Sequence, residues 1–213
     1  MKIVFCDNHL LVAVKPGGIS TQPHQEGQAN LLDQAKAWLK KEFKKPGNVF
    51  LESAHRLDKP ASGLVLFART SKALSRLNEM MREKKIEKTY FAWVEGILVQ
   101  KEGCLEHYLF HSEHRAKVVN LSHPQAKLAK LHYRAIDQKN GNTLVEIRLE
   151  TGRYHQIRAQ FAEIGHPIFG DTKYGSSLPW KKDQIALHHG QLRFSHPVTK
   201  EGLCFTVPMS LDC

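Results

Sequence analysis

The apolar residues of this chain fall mainly in short blocks, many of them alternating with polar residues, which is typical of β-strands. Residues 3–5 and 10–14 predict two initial strands, and the unbroken apolar run 64–67 predicts a strand buried on both faces. Further strands are predicted at 88–94, 128–136, 143–149, 185–194 and 203–207. Because Asn140-Gly141-Asn142 separates two of them, 128–136 and 143–149 are predicted to form a hairpin.

Three segments have apolar residues at helical spacing. The first spans 31–43 with Asn30 as its N-cap, and the second spans 71–82 with Ser71 as its N-cap. The third begins at 151–152 and ends before Gly165. The residues predicted to share the inner faces of these helices are Leu32, Ala35, Trp38 and Leu39, then Leu74, Leu77 and Met81, and finally Tyr154, Ile157, Phe161 and Ile164.

This order of elements predicts an α+β fold with a mixed, mainly antiparallel central sheet and flanking helices, because most strands follow one another without intervening helices. We expect residues 1–213 to form a single domain. Residues 104–125 show only a weak, polar and His-rich pattern, which we interpret as a hairpin or an insertion with a mobile tip.

Charge changes this picture. The chain carries 31 Lys and Arg against 21 Asp and Glu, a net charge of +10. Such a surplus favours a polyanionic partner, above all nucleic acid. The cysteines are scattered without metal or redox spacing, which predicts no metal site and a reduced, cytoplasmic setting. No apolar run approaches the roughly 20 residues that would span a bilayer, so we expect no membrane partner. The cysteines are Cys6, Cys104, Cys204 and Cys213.

The segment 55–68 reads HRLDKPASGLVLFA and places Asp58 on a loop directly before the buried strand. Loops held by a rigid scaffold often carry catalytic groups. An Asp at such a position can equally be a turn residue that bonds nearby backbone N–H groups. The residues around Asp58 alone leave both interpretations open.

Three segments together resemble the RluA family of pseudouridine synthases. The first is K-P-G-G at 15–18, similar to an early K-P-x-G of that family. The second is H-R-L-D at 55–58 followed by S-G-L at 62–64, which resembles the catalytic motif. The third is T-G-R-Y-H-Q-I-R at 151–158, followed by G-H-P-I-F-G-D at 165–171 and Y-G at 174–175. These segments span nearly the whole chain in the order of the family.

The resemblance implies that the chain isomerises uridine in RNA to pseudouridine. It gives Asp58 the catalytic role at the anomeric carbon of the sugar, as nucleophile or as base, and makes Arg158 its ion-pair partner. It makes Tyr90 a third catalytic candidate, for which a core strand tyrosine is the alternative. The isomerisation loses and gains no group, so no cofactor is expected.

A stacked uridine must be extruded before it can react. His55 and Arg56, which flank Asp58, can fill the vacated space or hold a phosphate. Arg153 near a helix N-terminus is another phosphate candidate. Lys15 can do the same or simply shape its turn. The expected partner is structured ribosomal or transfer RNA, bound by a monomer that lacks a separate N-terminal RNA-binding domain.

Two other classes of protein fit part of the sequence. A non-catalytic RNA-binding or RNA-chaperone domain would explain the charge of +10 equally well. A metal-dependent nuclease would require clustered carboxylates or histidines, and neither Asp58 nor Asp171 has an acidic neighbour in sequence.

Overall fold

The computed structural model of the chain describes residues 1–23 and 27–209. Three α-helices, one short 3₁₀ helix and eleven strands occur within these residues. In chain order they are β1 (Lys2–Cys6), β2 (Leu10–Lys15), α1 (Leu31–Glu42), β3 (Glu52–Ser53), β4 (Ser62–Ala68), α2 (Ser71–Arg82), β5 (Glu87–Val94), β6 (Glu102–Ser112), β7 (Arg115–Val119), β8 (Lys127–Lys139), β9 (Asn142–Leu149), α3 (Gln156–Glu163), the 3₁₀ helix (Thr172–Tyr174), β10 (Leu187–Ser195) and β11 (Gly202–Thr206).

The contacts of the chain divide it into two compact units. The first unit comprises residues 1–87 and 189–209, and the second comprises residues 88–188. Strands dominate both units and helices are few, so the predicted α+β class is confirmed.

The first unit is built on strands in the order β1-β2-β4-β10, with β11 beside β10 and β3 beside β4. The predicted buried strand is β4, in which every residue from Gly63 to Ala68 is buried. Helix α2 packs against β4. The core that they share stabilises the scaffold from which the loop before β4 projects, and it consists of Leu10, Val12, Leu64, Leu66, Ala68, Ala73, Leu77, Ile86, Leu192 and Phe194.

The second unit is an antiparallel sheet in the order β5-β9-β8-β6-β7. The predicted hairpin is β8–β9, and its two turn residues Asn140 and Gly141 have φ values of 51° and 73°. Positive φ at both central positions defines the turn that matches the twist of paired strands. Residues 104–125, predicted as a hairpin or insertion, lie in the hairpin β6–β7 and the segment after it. Helix α3 packs against β6 and β7.

The first two helices form close to where the sequence predicts them. Asn30 caps α1, since its side chain accepts a hydrogen bond from the Asp33 backbone N–H at 2.9 Å. The cap of α2 is Thr70 and not Ser71 as predicted, because the Thr70 hydroxyl accepts from the Ala73 N–H at 3.1 Å. Ser and Thr are both favoured N-cap residues, so the residue types alone do not identify the cap, whereas the backbone conformation does.

The third helix begins later than predicted. Helix α3 starts at Gln156, because His155 has the left-handed conformation (φ 51°, ψ 26°) and ends the helical geometry on its N-terminal side. Tyr154 therefore does not share the inner face of the helix, and 42% of its surface is exposed. Before the helix, the Gln156 side chain closes a turn by accepting from the Arg153 N–H at 2.9 Å and from the Thr151 hydroxyl at 2.8 Å.

No helix within the described residues is both long and apolar enough to cross a membrane. Of the four cysteines, Cys6, Cys104 and Cys204 are free thiols, while Cys213 lies outside the described residues.

Candidate active site

Asp58 lies on the loop that joins β3 to β4 in the first unit. The backbone turns sharply at this point, because the Ala61 N–H donates to the Asp58 carbonyl at 3.1 Å. Lys59-Pro60 occupy the middle of the turn. Asp58 is half-buried, so the loop holds a carboxylate at the edge of the protein interior.

Lys15 anchors this loop from the end of β2. Its side chain is fully buried, and its Nζ donates to the carbonyls of Pro16 at 3.0 Å, Ile19 at 2.8 Å and Lys59 at 3.0 Å. Three acceptors match the three N–H groups of an ammonium. Burial lowers the pKa of Lys15 to about 7, and the charge of Asp58 raises this pKa in opposition. Lys15 therefore shapes its turn, as one of the two sequence interpretations had it, and adds positive charge beside Asp58.

Thr21 holds the same loop from a second side, and sequence reasoning missed it. Its hydroxyl accepts from the Leu57 N–H and donates to the Leu57 carbonyl, both at 3.1 Å. These two bonds fix the backbone directly before Asp58. A single Thr outside any recognised motif gives no signal of this role in the sequence.

Gly63, the second residue of β4, lies where only glycine fits. Its φ is +119°, and a Cβ atom built there would lie 2.3 Å from the His189 carbonyl oxygen. Both the conformation and the close approach of β10 require glycine at this position. Packing thus requires Gly63 of the motif, and this residue sets where the Asp58 loop meets the sheet.

His55 and Arg56, predicted to contact RNA, differ in their surroundings. The His55 Nε2 accepts the Leu66 backbone N–H at 3.2 Å, and its ring lies edge-on to His189 at 5.3 Å. His55 therefore helps to fix the loop on β4. The Arg56 side chain is exposed. An RNA contact by either residue stays a prediction.

Arg158 lies on α3 in the second unit and is buried, with 4% of its surface exposed. Its Nε and Nη2 donate to the two oxygens of Asp171 at 2.7 and 2.8 Å, a bidentate ion pair. Asp171 is itself only 1% exposed. Arg158 is therefore a buried helix residue and does not face solvent. Sequence reasoning missed Asp171 as its partner, although both lie in segments that resemble the family. The ion pair of Arg158 with Asp58 stays a prediction.

A hydrogen-bonded chain leads from Arg158 to the β6–β7 hairpin. The Arg158 Nη1 donates to the His155 Nε2 at 2.9 Å, so the other ring nitrogen, Nδ1, carries the proton that faces the Tyr174 hydroxyl at 2.9 Å. That hydroxyl also accepts the Ala116 N–H at 2.7 Å. Burial, and then the charge of Arg158, lower the pKa of His155 to about 3. His155 is therefore neutral at physiological pH and orients the guanidinium.

The last two predicted residues also belong to the second unit. Tyr90 is buried on β5, opposite Ile147 of β9. Arg153 is exposed in the turn before α3, and its Nε donates to the Leu128 carbonyl at 2.9 Å. The catalytic role of Tyr90 and the phosphate contact of Arg153 stay predictions.

In the first unit, Asp58 supplies a half-buried carboxylate on an anchored loop. A carboxylate can stabilise positive charge at a sugar carbon or abstract a proton, as carboxylates do in glycosidases. Within residues 1–23 and 27–209, no group of three or more His, Cys, Asp or Glu side chains is arranged to bind a metal ion.

Known proteins resemble this chain over most of its length. A family model described as RNA pseudouridylate synthase matches residues 9–163. The Bacillus subtilis RNA pseudouridine synthase YhcT is 34% identical over all of this chain and 70% of its own length. The dual-specificity RNA pseudouridine synthase RluA of Pasteurella multocida is 34% identical over 98% of this chain and 93% of its own. The ribosomal large subunit pseudouridine synthase D of Nitrosomonas europaea is 32% identical and is covered over 63% of its length.

Solved structures share the fold. Human RNA pseudouridylate synthase domain containing 4 superimposes with a TM-score of 0.80 over 98% of this chain and 88% of its own, at 21% identity. The chain belongs to the RNA pseudouridylate synthase family, as its resemblance to the RluA family predicted. It is an enzyme of the class that isomerises uridine in RNA to pseudouridine.

Proposed function

We propose that the chain isomerises specific uridines in structured ribosomal or transfer RNA, with Asp58 as the catalytic carboxylate. The observation that carries this proposal is the anchoring of the Asp58 loop. Lys15 donates to the Lys59 carbonyl directly after Asp58, and Thr21 makes two hydrogen bonds to Leu57 directly before it, so three hydrogen bonds fix the backbone on both sides of Asp58. A catalytic group must be held within a fraction of an ångström of its productive position, and such anchoring supplies that precision.

In the proposed reaction the bond between N1 of uracil and the anomeric carbon of the sugar breaks. The base rotates, and its C5 forms the new bond to the same carbon. The hydrogen on C5 leaves to solvent and N1 gains a proton, so no oxidant, metal or cofactor enters the balance. Asp58 acts at the anomeric carbon, which develops positive charge as its bond to the base breaks.

Arg158 is proposed to pair with Asp58 and to favour its ionised form. Its bidentate bond to Asp171 supports this role, because it fixes the plane of the guanidinium before substrate binds. A double-mutant cycle with Asp58→Asn and Arg158→Gln tests the pair by urea unfolding. A coupling free energy of about 1 kcal/mol or more is expected for two charged side chains in contact, and independent effects of the two substitutions would contradict it.

The uridine must leave its stack to reach such a site. We propose that Tyr90 contacts the extruded base, and that Arg56, His55 and Arg153 contact the RNA around it. The exposed side chain of Arg56, next but one to Asp58, supports this most directly. Lys15 contributes charge from behind the loop rather than a direct contact, since its three N–H groups are occupied.

We also propose that both units belong to one catalytic domain, which the match of the family model across residues 9–163 supports. Relatives named for the large ribosomal subunit support ribosomal RNA as substrate and the cytoplasm as location. The monomeric state is part of the same proposal, and light scattering coupled to size exclusion tests it.

Tritium release tests the proposed reaction. Transcripts of large-subunit ribosomal RNA and of transfer RNA, made with uridine tritiated at C5, are incubated with the wild-type protein in parallel with and without EDTA. Release of tritium without strand cleavage is expected, because closing the new carbon–carbon bond expels that hydrogen. Binding without release on both RNAs would instead favour a non-catalytic RNA-binding protein, and EDTA-sensitive cleavage would favour a nuclease.

A further inference from the structure

The C-terminal half of α1 and the loop after it carry an unusual share of the positive charge. Residues 36–50 contain five lysines and one glutamate, a net +4 of the chain's +10. Lys40 and Lys41 complement the negative end of the helix dipole. Lys44 and Lys45 lie beyond the helix, where the dipole no longer accounts for them. We call the surface formed by Lys36, Lys40, Lys41, Lys44, Lys45, Phe43 and Phe50 the α1 basic surface.

Within residues 1–23 and 27–209, none of these five lysines lies within 4.0 Å of an Asp or Glu oxygen. Two other lysines do have such partners, since Lys85 lies 2.7 Å from Glu83 and Lys130 lies 3.6 Å from Glu150. Unscreened like charges repel one another, and a polyanion laid across them would relieve that repulsion.

One of the lysines has a backbone conformation that is unfavourable for its residue type. Lys44 has φ 48°, in the left-handed region that follows many helices. Glycine or asparagine usually occupies that position. A lysine there costs about 1 kcal/mol of conformational free energy. The charge is thus present where folding alone would favour a smaller residue.

Two phenylalanines of the same segment, residues 36–50, are exposed. Phe43 and Phe50 expose 45% and 46% of their area. The guanidinium of Arg69 lies 4.6 Å from the Phe43 ring centroid and adds another cation. Exposed rings among cations are the arrangement on which unpaired bases stack while their phosphates are neutralised.

A groove of about 320 Å³ runs between α1 and the loop. It is lined by Lys36, Ala37, Lys40, Gly47, Asn48 and Val49. Two ammonium groups and an amide at an open groove suit a phosphate and its sugar better than an apolar ligand.

We propose that the α1 basic surface binds a single-stranded segment of the RNA substrate. The lysines neutralise its phosphates, and Phe43 and Phe50 stack against its bases. The inference rests on RNA being the substrate under the proposed function, and it adds a contact surface separate from the residues around Asp58 and Arg158.

RNA binding is measured on proteins that also carry Asp58→Asn, so that turnover plays no part. The probe is a fluorescein-labelled 20-nucleotide uridine oligoribonucleotide, followed by anisotropy at 50 to 300 mM KCl. The test variant is Lys40→Ala/Lys44→Ala/Lys45→Ala. The matched control, Lys101→Ala/Lys139→Ala/Lys200→Ala, removes the same charge from three other exposed lysines. Thermal unfolding checks that both triple variants remain folded.

We expect the test variant to bind the oligonucleotide at least about 10-fold more weakly and to lower the salt slope by about 2, since each single-strand phosphate contact contributes about 0.7. The control should change affinity less than about 2-fold. Phe50→Leu, which keeps an apolar side chain but removes the ring, should weaken binding about 5-fold or more if a base stacks on it.

Equal losses in both triple variants would overturn the proposal, because net charge alone would then explain them. The same variants are also titrated with a 20-base-pair RNA duplex. If the test variant loses affinity for the duplex but not for the single strand, the proposal is overturned as well. The outcome is independent of tritium release. If only the test variant loses affinity, the proposed role of the α1 basic surface is supported even when the protein releases no tritium. If the protein releases tritium but the test variant binds as tightly as its parent, that role is contradicted while the proposed reaction is not.

Discussion

At the scale of single residues, buried charges in this protein are held by exact complements. Lys15 meets three carbonyls with three N–H groups, and Arg158 meets both oxygens of Asp171. An uncompensated buried charge would cost several kcal/mol, so such matching is what allows these residues to be buried. Each complement also fixes a position, since Lys15 holds the Asp58 loop and Asp171 holds a guanidinium.

Gly63 offers a test of how the Asp58 loop is fixed to the sheet. Gly63→Ala is expected to lower the free energy of unfolding by about 4 kcal/mol or more, because the new Cβ meets the His189 backbone and the positive φ is unfavourable for alanine. Urea denaturation measures this. Gly202→Ala, which has open space around its Cβ position, serves as control and should change the value by less than about 0.5 kcal/mol. Equal effects would mean that the close approach is not rigid.

His155 predicts a pH dependence of stability. Its folded pKa of about 3 lies below the ordinary 6.5, so the unfolded chain binds more protons between these values. Its contribution is complete above pH 6.5 and is lost as the pH falls towards 3. Between pH 6 and pH 5 the wild type should lose about 1 kcal/mol more than His155→Asn. Asparagine tolerates the left-handed conformation of this position. Parallel losses in wild type and variant, measured by urea denaturation, would contradict this.

At the scale of elements, the chain from Ala116 through Tyr174 and His155 ties the β6–β7 hairpin to α3. Tyr174→Phe removes the hydroxyl and leaves the buried Ala116 N–H without its acceptor. We expect a loss of about 1–3 kcal/mol and faster hydrogen exchange at Ala116. Tyr133→Phe is the matched control, because its hydroxyl makes one long bond of 3.5 Å to Gln100. Unchanged exchange at Ala116 would show that the hairpin is held by other contacts.

The elements also show how far the sequence could be interpreted. Apolar runs and turn residues predicted β4, the β8–β9 hairpin and α1 with its Asn30 cap, because each depends on local chemistry. The predicted start of α3 was wrong because Tyr154 fits the helical spacing. In the structure its ring lies outside the helix and stacks on the His155 ring, with 3.9 Å between the ring centroids. Strand β3 has only two residues and exists by pairing with β4, which no periodicity can indicate.

The residues of the candidate site also divide into those that a sequence motif indicates and those that only packing brings into contact. Asp58, Lys15 and Arg158 were found because they lie in segments that resemble a family. Thr21 and Asp171 act through contacts 36 and 13 residues away in sequence. Such partners are set by the packing of distant segments. The sequence around Thr21 gives no indication of its role, and the family segment that contains Asp171 does not indicate which residue it binds.

At the scale of the whole molecule, much of the positive charge lies on residues other than those proposed to act on uridine. The net charge of +10 concentrates in part on the α1 basic surface, while the groups proposed to act on uridine are few and mostly buried. RNA affinity should therefore depend strongly on salt and turnover on single residues. This separation allows binding and catalysis to be removed independently.

The most direct test of the account compares Asp58→Asn with Asp137→Asn, which makes the same chemical change at an exposed position. Tritium release and RNA affinity are measured for both under the same conditions. We predict that Asp58→Asn binds RNA within about 3-fold of wild type but releases tritium at least about 1,000-fold more slowly, as loss of an essential catalytic group does. Asp137→Asn should match wild type in both. Tritium release by Asp58→Asn at the rate of wild type would contradict the assignment of Asp58 as the catalytic carboxylate.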